Sequence, residues 1–272
     1  MRKRWIILLL ILALLLGVGL LGWRMWKSVH HVITPERCSI VNPEGEPVTL
    51  TAEQARMTSI IVAASYEAGL SERAATIALA TAYQESGIRN LDYGDRDSLG
   101  LFQQRPDPRF DWGTAEEIMD PWYSSLRFYE ELVKFKGWET RDINDQAQKV
   151  QRSGHPQAYR KHVPNATALA AATRGSRTEA ITCATTQNLT ADPKPIQEVL
   201  DHISEVQYTV EGNTIRITAE SDEMLWSAAH LAVLNTYDAG VESVQVHDRR
   251  WSLNDKHWSK AERVDGVVVT LG

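Results

Sequence analysis

The sequence predicts a mainly α domain followed by a small α+β domain, with one N-terminal transmembrane helix in front of both. Three observations carry this. An unbroken apolar run opens the chain, apolar residues then recur at helical spacing from Thr51 to about Thr173, and the remainder mixes helical periods with short β-type runs around a Gly-Asn turn. With 272 residues the chain has room for about two domains of ~100 to 200 residues once a targeting segment is set aside.

The opening run belongs to residues 1–27. Arg2, Lys3 and Arg4 precede apolar residues from Trp5 to Leu21, and Trp23 and Trp26 follow, interleaved with Arg24 and Lys27. A membrane span takes ~20 mostly apolar residues, and indole rings favour the headgroup region, so the segment is expected to be a resident single-pass anchor. A cleavable signal peptide shares the basic start and the apolar stretch, but no small-x-small site follows Leu21. The basic flank puts the N-terminus in the cytoplasm and the rest outside, although Arg24 and Lys27 weaken the asymmetry. Residues 28–48 carry Pro35, Pro43, Gly45 and Pro47 with little periodicity, which predicts a juxtamembrane linker.

Helical signals fill residues 49–173. Thr51 and Gln54 form a capping box, and Met57, Ile60, Ile61, Ala64 and Ala68 share one face up to a stop at Gly69. A second helix runs from Ser71 through Ala75, Ala78, Leu79 and Ala82 to Glu85. Gly, Asp and Pro at close intervals make Gly87 to Asp111 an ordered loop. Thr114 with Glu117 forms another capping box, Pro121 holds the favoured first helical position after Asp120, and helices are expected over Trp122 to Lys136, Asn144 to Arg152 and Pro156 to about Thr173.

Residues 174–194 turn to Thr, Ser, Asp and Pro and read as a linker. Residues 195–272 then predict a helix from Pro195 to Glu205, a hairpin from Gln207 to Ala219 turning at Gly212-Asn213, a helix from Ser221 to Tyr237, and strands from Val241 to His247 and from Gly266 to Leu271. The two cysteines, Cys38 and Cys183, flank the helical domain. Outside the cytoplasm they are expected to form a disulfide, worth roughly 4 to 5 kcal/mol for so long a loop; two separate thiols are the other reading.

The formal net charge of -6 argues against a general nucleic-acid binder. Asp92, Asp95 and Asp97 lack the register and the terminal Glu of an EF-hand, and His155 and His162 are isolated, so neither a metal nor a cofactor is expected.

Glu85 is unusual on physical grounds. It lies in the last turn of a helix whose preceding residues are almost wholly apolar. The negative end of the helix dipole and desolvation both disfavour its ionisation, which is what a general acid needs near neutral pH. A solvated Glu at a frayed helix end fits the position as well.

Glu85-Ser86, followed by Ser98 and Gly100-Leu101-Phe102-Gln103, resembles the Glu-Ser and Gly-Leu-Met-Gln signature of soluble lytic transglycosylases and goose-type lysozymes, and the likeness spans about Thr51 to Ala172. The resemblance implies a lysozyme-like fold for the helical domain and a cell-wall glycosidase. Its substrate would be the β-1,4 bond between N-acetylmuramic acid and N-acetylglucosamine in peptidoglycan glycan strands, with Glu85 protonating the glycosidic oxygen. It further implies that Ser98 steadies the carboxyl and that Gly100 and Gln103 line the sugar groove.

The sequence also departs from that family. Where an Ala-Tyr-Asn motif is usual, it has Lys149-Val150-Gln151-Arg152-Ser153, so Gln151 is either an N-acetyl hydrogen-bonding partner or an exposed helix residue. Tyr159 is either a wall of the cleft or core. Gly94-Asp95-Arg96 resembles the Gly-Asp-Arg of goose-type lysozymes, with the distance to the next motif differing by one residue. Asp95 is therefore the candidate second carboxylate that a hydrolase would need, and a solvated loop acid otherwise. Trp112, Trp122 and Tyr123 suit either sugar stacking or a core. The alternative function is a non-catalytic peptidoglycan-binding or scaffold protein of a cell-envelope complex, with 195–272 recruiting an envelope protein.

Overall fold

The computed structural model describes residues 36–272 other than Pro156, together with Gly17 and Gly19. The expected membrane anchor, apart from Gly17 and Gly19, falls outside the described residues. No helix among the described residues is long and apolar enough to cross a membrane.

The described residues are mixed α/β, with 41% helix and 19% strand in two antiparallel sheets, which corrects the expectation of a mainly α lysozyme-like domain with a small α+β appendage. Much of the difference lies in segments whose prolines and glycines predict a linker. β1 (Arg37–Val41) and β2 (Pro47–Leu50) form a hairpin, and Pro43 and Gly45 sit in its turn. The Asn42 carboxamide oxygen accepts from the backbone N–H groups of Glu44 and Glu46 at 3.0 and 2.9 Å, so the turn is held by a side chain. Cys38, Ile40, Val48 and Leu50 alternate into the core, a period-2 pattern too short to stand out beside the breakers.

α1 (Ala52–Glu67) starts with the Thr51–Gln54 capping box, and the Gln54 side chain also donates to the Gly87 carbonyl at 2.7 Å. That bond fixes the start of α1 to the end of α2 (Glu72–Glu85). α2 is buried on nearly every side, from Ala74 through Ala82. Its alanines pack closely on those of the helix Val163–Thr173, which identifies α2 as the central helix of this half. Beyond the loop come α3 (Ala115–Met119), α4 (Pro121–Leu132) and α5 (Ile143–Gln151). The expected helix from Pro156 is a 3-10 turn, Arg160–His162, leading into α6 (Val163–Thr173). β3 (Thr182–Ala184) then pairs with β1, and a disulfide joins the directly opposed Cys38 and Cys183.

The C-terminal segment runs α7 (Lys194–Asp201), β4 (Val206–Glu211), β5 (Thr214–Ala219), α8 (Asp222–Leu234), α9 (Thr236–Ala239), β6 (Val241–Val246), β7 (Arg249–Ser252), β8 (Trp258–Lys260) and β9 (Val267–Leu271). Its sheet has the order β4-β5-β9-β6-β7-β8. α8 lies between this sheet and helices α1 and α6, and is buried throughout because both of its faces are covered. Polar pairs seal the contact. Tyr66 donates to Ser227 at 2.8 Å, Ser227 donates to the Thr173 carbonyl at 2.7 Å, and Asn235 donates to Ser59 at 3.2 Å. Glu36–Gly272 accordingly form one compact unit with a continuous core.

Candidate active site

Glu85 is the last residue of α2, so its backbone is held by a helix buried from Ala74 through Ala82 while its side chain emerges at the helix end. Ser86 locks that end to the next segment. Its hydroxyl donates to the Leu101 carbonyl at 2.7 Å and accepts from the Arg89 N–H at 3.1 Å. The loop that follows is closed by bridges pairing Leu91 with Gly100 and Leu99 with Gln104. Two glycines make the folding possible. A Cβ on Gly100, whose φ is +75°, would come within 2.6 Å of the Ile118 carbonyl, and one on Gly94 would collide with the Ser98 carbonyl and the Gln103 carboxamide. Leu101 and Phe102 face inward, with Phe102 stacked on Phe128 at 4.6 Å, so Gln103 is turned toward the surface.

These elements enclose a cleft of about 250 Å³. Glu85 lines it with Gln103, Gln104 and Arg105 of the loop, Phe110 and Trp112 ahead of α3, and the stretch Val150 to Ser153 at the end of α5. Wider hollows of about 610 and 550 Å³ lie in the C-terminal half, but neither contains a residue that sequence reasoning singled out for chemistry.

The Tyr159 hydroxyl donates to Glu85 Oε1 at 2.6 Å, and Gln151 donates through Nε2 to the Phe102 carbonyl at 2.6 Å. Burial pushes the Glu85 carboxyl above its ordinary range, against the hydrogen bonds from Tyr159 and Gln151, which favour the charged form. Tyr159 is itself held well above the usual phenol value by burial and then by the Glu85 charge, so it stays a donor. The arrangement can hold a neutral carboxyl with one oxygen fixed and a proton to give.

Of the residues singled out from the sequence, Glu85, Gln103 and Gln151 line one cleft. Tyr159 is fully buried and touches Glu85 from behind rather than forming a wall. Gly100 shapes the loop. Ser98 is buried with its N–H on the Asp95 carbonyl at 3.1 Å, and the hydroxyl that meets Glu85 is that of Tyr159. Asp95 is exposed on the loop and does not line the cleft. Trp112 lines it, whereas Trp122 stacks on His202 at 3.8 Å, away from it.

Sequence reasoning missed Gln104, Arg105, Phe110, Arg152 and Ser153. Gln104 is the most unexpected of these: it is 2% exposed, and neither its carboxamide nitrogen nor its oxygen has a hydrogen-bond partner. The polar pair Gln103-Gln104 directly after Leu101-Phe102 was the available signal. Among the described residues, no group of three or more His, Cys, Asp or Glu is placed to hold a metal ion. Compared with known proteins, the sequence matches no family model and no curated protein.

Proposed function

We propose that the protein cleaves the β-1,4 bond between N-acetylmuramic acid and N-acetylglucosamine in peptidoglycan, with Glu85 as general acid. The observation that carries this is the half-buried, tyrosine-anchored carboxyl of Glu85 in a cleft that also contains Gln103 and Gln151. Desolvation raises the Glu85 pKa and so favours the protonated form, the form that delivers a proton to the leaving O4. The likeness of the Glu-Ser and Gly-Leu-Phe-Gln segments to lytic transglycosylases and goose-type lysozymes supports the same reading.

Among the described residues, Glu85 is the only carboxyl that lines the cleft. Inverting hydrolysis uses a second carboxylate ~6.5 to 9.5 Å from the first to activate water. The reading that fits one carboxyl is internal attack. The C6 hydroxyl of the muramic residue bonds to its own C1 as the C1–O4 bond breaks, Glu85 gives its proton to O4, and its carboxylate then takes the C6 hydroxyl proton. The product is a 1,6-anhydro end.

Purified full-length protein incubated with purified peptidoglycan tests both levels. Soluble fragments are expected from the wild type and none from Glu85→Gln, and their masses should be one water below those of reducing ends. Fragment release by Glu85→Gln at the wild-type rate rules out this assignment, and wall binding without release by the wild type points to a non-catalytic binder.

A further inference from the structure

Arg152 stands where an arginine is least expected. It is the C-cap of α5 in the left-handed region, at φ 52° and ψ 33°, a conformation in which glycine is unstrained and a Cβ is not. Non-glycine residues held in such conformations cluster at ligand sites. Arg152 lines the cleft beside Gln151, and the other lining residue with positive φ is Gln103. Its Nη2 donates to Glu131 Oε1 at 3.1 Å through one of its two protons, and Nε and Nη1 have no hydrogen-bond partner among the described residues. Glu131 does not depend on it, because Lys134 Nζ lies 2.7 Å from the other carboxylate oxygen. The cleft therefore presents the guanidinium group of Arg152, with that of Arg105 beside it and paired through Nε to Asp97, an arrangement suited to an anionic ligand group.

We propose that Arg152 is a substrate-contacting residue that selects ligands bearing a free carboxylate. Resting on the proposed function, the source of that carboxylate is the peptide carried by the muramic acid residue. An edge of a guanidinium matches a carboxylate with two parallel hydrogen bonds, which neither an amide nor an ester reproduces, and the second Nη2 proton of Arg152 leaves it one such edge. The protein would then distinguish glycan strands that carry acidic peptides from bare ones.

The test is calorimetric binding of a disaccharide tetrapeptide, N-acetylglucosaminyl-N-acetylmuramyl with its peptide, to full-length protein, alongside its methyl ester. This probe has no internal bond of the kind cleaved, so it reports binding alone. Esterification is expected to weaken wild-type binding about tenfold, and to change binding to Arg152→Gly less than about twofold. Glycine at φ 52° relieves the backbone, so thermal unfolding of Arg152→Gly should occur no lower than in the wild type, and loss of discrimination cannot then be ascribed to misfolding. Equal wild-type affinity for acid and ester, undetectable binding of either, or ester sensitivity that survives Arg152→Gly, overturns the inference. Fragment release from peptidoglycan, assayed in parallel, judges the glycosidase reading separately: release with ester-insensitive binding sinks Arg152 alone, and Arg152-dependent binding without release sinks the glycosidase alone.

Discussion

The Tyr159 hydroxyl and Glu85 Oε1 are 2.6 Å apart, and they join the approach to α6 with the end of α2, 74 residues earlier in the chain. A fully buried phenol cannot swing away, so it fixes the carboxyl rotamer as well as its charge balance. The bond stabilises the ionised carboxylate more than the acid, and it lowers the Glu85 pKa against the larger upward push of burial.

Tyr159→Phe should therefore raise the Glu85 pKa further. A general acid works in its protonated form, so the alkaline limb of the rate profile moves to higher pH in the variant. The plateau rate falls by roughly an order of magnitude, because the carboxyl is no longer held in position. A pH profile of fragment release checks both. A limb that moves to lower pH would contradict the stated direction of the bond.

His230 places a second titration in the core. Its Nδ1 lies 2.8 Å from the Ala172 carbonyl and its Nε2 accepts from the Ala180 N–H at 3.1 Å, which requires the neutral ring. Burial pushes its pKa down from 6.5 to about 4. The unfolded chain then binds a proton that the folded chain refuses, so stability is fully present above about pH 6.5 and is lost as pH falls toward 4. The loss amounts to roughly 2 kcal/mol between about pH 7.5 and pH 5. Glu85 and Asp238, raised by burial, work in the opposite sense, so the quantity to measure is a difference. Urea unfolding of wild type and His230→Gln at both pH values should show the variant's stability falling less on acidification.

Gln104 carries a cost that an apolar side chain would not. Both polar atoms of its carboxamide are shut off from water and unpartnered, in a residue packed beside Leu101 and Phe102. Gln104→Leu should stabilise the fold by about 1 kcal/mol, since it removes two desolvated groups at nearly constant volume. Denaturant midpoints decide it, and a destabilised variant would mean that the amide is paired in solution.

What was legible in the sequence was local. The Thr51–Gln54 and Thr114–Glu117 capping boxes are spelled out within four residues and are present as spelled. Glu85 at the end of an apolar helix, and the glycine-bearing loop that brings Gln103 to the same cleft, follow from short-range rules of the same kind. The Cys38–Cys183 bridge was expected from the two flanking cysteines, but the sheet of β1, β2 and β3 around it was illegible because each strand has five residues or fewer and β3 meets β1 only across 145 residues. β7 and β8 hid for another reason. Their inward side chains are Trp251 and Trp258, set among charged and polar neighbours, and the indole N–H groups reach Thr182 and the Ile181 carbonyl, which only the folded chain brings near. Arg152 gave no sign because its significance lies in a backbone angle.

That long-range pairing carries the last prediction. Cys38 and Cys183 sit opposite each other on β1 and β3, and the loop they close contains every residue of the cleft. Cross-linking across 145 residues removes much of the freedom of the unfolded chain, with an upper value of roughly 5 kcal/mol in the chain-entropy model. β1 and β3 would remain paired without the bond, since their ladder and the buried Ile40 and Ile181 do not depend on it. Reduction should thus lower stability by about 2 to 5 kcal/mol while leaving the cleft formed. Urea unfolding with and without a reductant should separate wild type from Cys38→Ser/Cys183→Ser. The wild type loses stability on reduction, the double variant starts at the reduced value, and the reductant changes it no further. Equal midpoints for oxidised wild type and the double variant would show that the staple contributes nothing to the folded state's advantage.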